Sequence, residues 1–184
     1  FVTVLETLPM GAFETLFAVY AEEDLRFTPF FISILFMCRG AANASIRFPT
    51  GKLVDRIGRK KPFMISLLLI MAAFVLIAFT RDVYAIVAAL VFYGLAWGCR
   101  AVSGTSLVSD NSPREIRGLT MSFFFGMFDL GNFLGAFLAG VATTVMNTQT
   151  IFMVLTITFP LAMIITQFTI SERSRNFVIS TGGP

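Results

Sequence analysis

Histidine is absent from the 184 residues, and cysteine occurs only twice. The first absence excludes histidine-based zinc sites and Ser–His or Cys–His nucleophilic pairs. The second excludes a disulfide framework; Cys38 and Cys99 fall inside apolar runs and read as buried thiols. Charge is scarce, with 14% Asp, Glu, Lys and Arg against about 25% in a soluble domain. No signal-peptide pattern of charged head, short apolar core and small-residue cleavage site is present, and the chain reads as a piece of a longer polypeptide. What is there is apolar: 56% of residues are hydrophobic, 22 are Phe, and the mean hydropathy is +0.80. A soluble globule of that composition exposes large apolar patches and aggregates. This is a membrane protein.

Apolar runs cover about 1–20, 29–48, 63–79, 83–108, 119–145 and 151–170, followed by a polar tail over 171–184. Each approaches the roughly 20 residues that cross about 30 Å of hydrocarbon as a helix. Nothing alternates like a barrel strand, so the class is all-α with six transmembrane helices. Between the runs, Arg47, Lys52, Arg56, Arg59, Lys60, Lys61, Arg114, Arg117, Arg173 and Arg175 gather on one side, and only Arg26 and Arg81 lie on the other. The basic side is expected to be cytoplasmic. Both ends of the segment then face the cytoplasm of a plasma membrane protein.

Ionisable residues within the runs are Glu6 and Glu14 in the first, Arg39 in the second, Arg100 in the fourth and Asp129 in the fifth. A charge near mid-bilayer costs at least about 2.5–3.5 kcal/mol, so these residues should face protein or a water-filled cavity. The runs that lack them, the third and sixth, are expected outermost against lipid. Arg39 and Arg100 lie roughly 12 Å and Asp129 about 15 Å in from the basic edge at 1.5 Å per residue. Asp129 is thus placed to pair with either arginine. Two readings stay open: a structural pair that fixes packing, or a substrate or coupling-ion site, favoured by the one unbalanced Arg. Glu14 is the leading carboxylate for proton binding, with Glu6 behind it. Gly94 with Gly98, and Gly131 with Gly135 and Ala139, form ladders of small residues that permit close helix packing.

The most specific feature is Gly51-Lys-Leu-Val-Asp55-Arg56-Ile-Gly58-Arg59-Lys60-Lys61. Its glycines permit a tight crossing between the second and third spans, and Asp55 suits a helix N-terminus, whose dipole favours an anion. Positive-inside charge explains the bases but not an Asp held between two glycines. The stretch resembles the signature loop of the major facilitator superfamily, G-x-L-x-D-R-x-G-R-K/R, complete. Asp110 to Gly118 resembles that family's D-x-x-P-x-E-x-R-G segment. Asp129-Leu-Gly131-Asn-Phe-Leu-Gly135 resembles its fifth helix, with Ala136 in place of the frequent proline. Arg100-Ala-Val-Ser-Gly104 imitates the R-x-x-Q-G of amino-terminal halves but lies too near Asp110. Gly94-x-x-x-Gly98 and the short polar tail instead resemble carboxy-terminal halves.

The resemblance implies one six-helix half of a bundle with a 3+3 inverted repeat, not discernible in the sequence itself. It implies a secondary active transporter of a small solute, working by alternating access. An Arg near the cavity would suit an anionic substrate, and Glu14 and Asp129 would suit proton-coupled efflux of a drug or metabolite; these residues do not decide between the two. The first and fourth helices would line the cavity, which puts forward Glu14, Arg100, Trp97 and Glu6 for substrate or proton contact. Arg39 and Asp129 would serve the interface or gate, and the signature loop would act as a latch. Partners are lipid, the other half and a small solute; no nucleic acid, metal or cofactor is expected. A non-transporting six-helix sensor, scaffold or channel subunit is the alternative. An enzyme ranks last, lacking a nucleophile–base pair or a metal-spaced carboxylate cluster.

Overall fold

The computed structural model describes residues 2–169, which are helical with short connections. The tail over 171–184 lies outside the described residues. The helices are α1 (Val2–Glu23), α2 (Pro29–Ile57), α3 (Lys60–Phe79), α4 (Val83–Asp110), α5 (Arg117–Ala142), α6 (Thr148–Thr156) and α7 (Thr158–Thr169). A single 3-10 turn, Arg114–Ile116, precedes α5. Four helices and the α6–α7 pair are long and apolar enough to cross a membrane. In α1 the apolar run is diluted by Glu6 and Glu14, yet its 22 residues span about 33 Å.

Local chemistry sets the starts. Thr28 accepts from the Phe31 amide at 3.3 Å ahead of Pro29 at the first turn of α2, and Asp82 Oδ2 accepts from the Ala85 amide at 2.9 Å to cap α4. Hydropathy marks the hydrocarbon and not the helix end, so α2 runs nine residues past Phe48, through Pro49. Most of the predicted signature loop is therefore helix. Only Gly58 and Arg59 separate α2 from α3, with Gly58 at φ 88°, ψ 174°, backbone open to glycine alone. The sixth span is also not one helix. It breaks at Ile157 because Pro160 lacks the amide that would bond the Thr156 carbonyl, and its ring crowds that carbonyl.

Two helix pairs carry the bundle, α1 with α5 and α2 with α4. A Cβ on Gly94 or Gly98 would collide with the Arg39 and Asn43 carbonyls of α2, and one on Gly131 or Gly135 with the backbone of Val4 and Leu8 in α1. Gly11 lies equally close to Asn132. Contacts rise together along both partners, so the helices of each pair run parallel. Exchanging helices one to three with four to six turns one pair into the other. That is the inverted repeat, visible in packing though not in sequence.

The core is aromatic. Phe13 of α1 lies 5.1 Å from Phe74 of α3 and 4.9 Å from Tyr93 of α4, and Phe74 lies 5.4 Å from Phe159 of α7. The third and sixth spans thus each turn one face to the core. On α3, Leu67, Ile70, Phe74 and Ile77 are buried, while Ile65, Leu68, Leu69, Val75, Leu76 and Phe79 are exposed. One apolar face meets the core and the other suits acyl chains. Cys38 and Cys99 are half-buried free thiols, less enclosed than predicted, because each sits beside the packed stripe of its helix.

Candidate functional site

The ionisable residues within the bundle resolve into two pairs, both anchored on α1. Glu6 Oε1 accepts from Arg100 Nη2 of α4, and each of these side chains is only 2% exposed. The guanidinium lies over the rings of Trp97, 4.8 Å away, and Phe128 of α5, 5.5 Å away. Eight residues further along α1, roughly 12 Å, Glu14 Oε1 accepts from Arg39 Nη2 at 2.8 Å. Arg39 is caged by Phe36 at 5.2 Å, Tyr93 at 5.3 Å and Phe13 at 6.0 Å. Glu14 is the wetter carboxylate, its side chain 43% exposed. Aromatic faces and a carboxylate together replace the hydration each guanidinium gave up.

Asp129 does not join them. It is exposed on α5 and makes no ion pair among the described residues, because α5 turns Gly131 and Gly135 toward α1 and Asp129 away from it. The predicted Asp129–arginine pairing is corrected to Glu6–Arg100 and Glu14–Arg39. The position of Glu6, uncertain from sequence, is deep against α4.

Satisfaction is incomplete. Glu6 Oε2, Arg100 Nε, Arg39 Nη1, Tyr93 Oη and Asn132 Oδ1 are buried without a protein partner. Orphaned polar atoms around charged groups are uncommon in finished cores and gather where a ligand, water or proton is handled. A cavity of about 250 Å³ opens beside Arg100 and Trp97, between α2, α4 and α5. A larger, more polar one of about 670 Å³ lies at the opposite, acidic end, near Tyr20, Glu23, Asp24, Arg81 and Gln149.

At the basic end, Gly51 stands in open space within α2, and Asp55 and Arg56 are exposed on its last turns. Arg59 forms an ion pair with Asp110, the last residue of α4. Lys60 donates to the Gln167 carbonyl of α7 at 3.0 Å. Sequence reading quoted Asp110 as part of a motif and missed it as the partner. The usable signal was a lone carboxylate at the end of the fourth span, facing a cluster of bases. Arg47, whose Nε donates to Asn43 Oδ1 at 3.0 Å, also reaches the Arg100 cavity and was read only as an edge marker. Among the described residues, no group of three or more Cys, Asp or Glu could hold a metal ion.

Comparison with known proteins places this architecture. The sequence profile of the Major Facilitator Superfamily matches residues 1–182. The gallate transporter of Pseudomonas putida is 30% identical over 89 residues, covering 48% of this chain and 20% of that protein. The galactose-proton symporter of Escherichia coli K12 is 32% identical over 106 residues, 58% of this chain and 22% of that protein. The chain thus aligns with about a fifth of the length of these relatives. Among solved structures, a variant of the peptide transporter POT in complex with alafosfalin superposes with a TM-score of 0.73 at 22% identity, over 91% of this chain and 36% of that one. At that identity the likeness speaks for the fold, which is the six-helix arrangement already described. With its sequence matched nearly end to end and its helices paired as an inverted repeat, this multi-pass membrane chain belongs to the Major Facilitator Superfamily.

Proposed function

We propose that the chain is one half of a secondary active transporter, rather than an enzyme, and moves a small solute by alternating access. The observation that carries this reading is the pair of carboxylate–guanidinium contacts along α1. A bundle held only by packing has no use for four costly charges and their orphaned polar atoms. In a transporter they are exchangeable partners: a proton on Glu14, or a charged solute at either arginine, competes with the internal contact and shifts the balance between two arrangements. Glu14 is assigned proton coupling because water reaches it, and the proton dependence named for the galactose symporter supports that assignment.

The missing half would cover α2 and α5. Only 11% and 22% of residues in their apolar stretches are buried, against 50% in α3 and α4. Phe30, Met37 and Phe48 on α2, and Phe133 and Phe137 on α5, stand exposed. We place the basic end in the cytoplasm of a plasma membrane protein, by the positive-inside rule, and assign this half to the carboxy-terminal position. Arg59–Asp110 then acts as a cytoplasmic latch, and Asp129 contributes to the interface between halves.

The test is reconstitution of the chain together with its other half in vesicles, followed by uptake of radiolabelled solutes with and without an imposed proton gradient. Gradient-driven accumulation that loses its pH dependence in Glu14→Gln supports the reading. Unchanged pH dependence removes Glu14 from coupling, and absence of any solute flux overturns the transport reading.

A further inference from the structure

The cavity beside Arg100 is unusual in what lines it: two guanidiniums, from Arg47 and Arg100, and the rings of Trp97, Phe124, Phe125 and Phe128. We infer that it binds a planar aromatic monocarboxylate. Charge comes first. Glu6 is the carboxylate paired with Arg100, so the three groups Glu6, Arg100 and Arg47 carry one uncompensated positive charge. Arg100 is 2% exposed, yet its Nε has no protein partner. Arg47 is exposed, and Asn43 holds it by Nε alone, leaving its other donors for an anion. A carboxylate oxygen satisfies what the protein leaves open, and guanidiniums match its geometry.

Shape comes second. An apolar cavity of about 150 Å³ holds a benzene ring, so 250 Å³ takes a ring with a carboxylate attached. Flat aromatic walls prefer an offset or edge-on ring to a puckered aliphatic one. Phe128 and Trp97 pack at 6.0 Å with their planes tilted by 50°, and both lie against the Arg100 guanidinium, so an incoming ring meets aromatic edges and faces that are set before it arrives. The lining residues of this chain come from α2, α4 and α5.

This inference rests on the transport reading for its purpose but is tested by binding alone. Trp97 is the only tryptophan in the sequence, so its fluorescence reports the cavity directly. The chain, co-purified with its other half in detergent micelles, is titrated with benzoate, benzamide and cyclohexanecarboxylate, and the Trp97 signal is read as the difference from a Trp97→Phe chain. Benzoate is expected to change Trp97 emission saturably, and the neutral amide and the puckered acid to bind at least about tenfold more weakly, the loss of one charge-assisted contact or of ring stacking. Arg47→Gln, an exposed substitution that spares the Glu6–Arg100 pair, is expected to weaken benzoate by a similar factor and leave benzamide unchanged. Equal binding of benzoate and benzamide, no saturable response to benzoate, or an indifferent Arg47→Gln chain overturns the inference. Solute flux in vesicles with no benzoate binding defeats this inference alone; benzoate binding without flux defeats only the transport reading.

Discussion

Glu6 and Arg100, 94 residues apart in sequence, meet as an ion pair of which water touches almost nothing. Their worth is asymmetric. Removing one partner strands a buried charge and costs about 3–5 kcal/mol, whereas replacing both with apolar residues is often neutral. Glu6→Gln and Arg100→Met are each expected to lower the thermal unfolding midpoint in detergent. The double substitution should be distinctly less destabilised than the sum of the two. Strict additivity in this double-mutant cycle would show that the two groups do not depend on each other.

Close helix approach gives a second expectation. A methyl on Gly135 meets the Leu8 carbonyl and the Ala12 amide nitrogen, backbone atoms with no freedom to yield. Gly135→Ala should therefore cost about 1–3 kcal/mol through overpacking. Gly126 lies in the same helix, and a methyl there would meet nothing within 4 Å. There the alanine should be neutral or gain up to about 1 kcal/mol from reduced chain entropy. Denaturant titration of both variants separates the cases; matching effects would mean that α1 and α5 are not locked together.

Much of this architecture was legible beforehand, for reasons that differ by residue. Hydropathy found the spans because lipid admits no unsatisfied backbone, and the interruptions beginning at Glu22 and at Thr80 lie where α1 and α3 end. The small-residue ladders at Gly94 and Gly131 were visible as patterns, but which helix each would meet was not. Arg39, Arg100, Glu6 and Glu14 announced themselves as costly, whereas their pairing depended on rotation about each helix axis. A window of hydropathy carries no such information, so Asp129 was matched to the arginines by depth alone. The α2 extension through Gly51–Ile57 was hidden because a helix continues past the point where its side chains become polar.

The Arg59–Asp110 contact ties the α2–α3 turn to the end of α4, with side chains 25% and 47% exposed. Exposed pairs contribute about 0–1 kcal/mol, so Asp110→Asn should leave the unfolding midpoint nearly unchanged. If the contact is a latch, its loss alters the rate of exchange between arrangements and not the depth of the folded state. Counterflow in reconstituted vesicles should change in Asp110→Asn and in Arg59→Asp, and recover in the swapped pair Arg59→Asp with Asp110→Arg. Asp55→Asn, on the last turn of α2, should likewise slow exchange while leaving solute affinity intact. Wild-type rates throughout would leave the basic end as a solvated rim.

Pro160 supplies the last expectation. Across the break the chain makes a tight turn, with the Ile157 amide donating to the Val154 carbonyl at 3.1 Å, and Thr158 Oγ1 donating to the Leu155 carbonyl at 2.7 Å. These bonds look able to hold the bend unaided, but threonine back-bonding only bends a helix slightly, whereas proline deletes a rung. Pro160→Ala restores the missing donor four residues after Thr156, so α6 and α7 should fuse into one helix over 148–169. Amide exchange at residues 156–159 should slow. The bend also aims Phe159 at Phe74, 5.4 Å away in the aromatic core, and a straight helix turns that ring aside. Protection near the bend should therefore rise while global stability falls. Unaltered exchange at 156–159 would assign the break to the packing of Phe152 and Phe159, not to the proline.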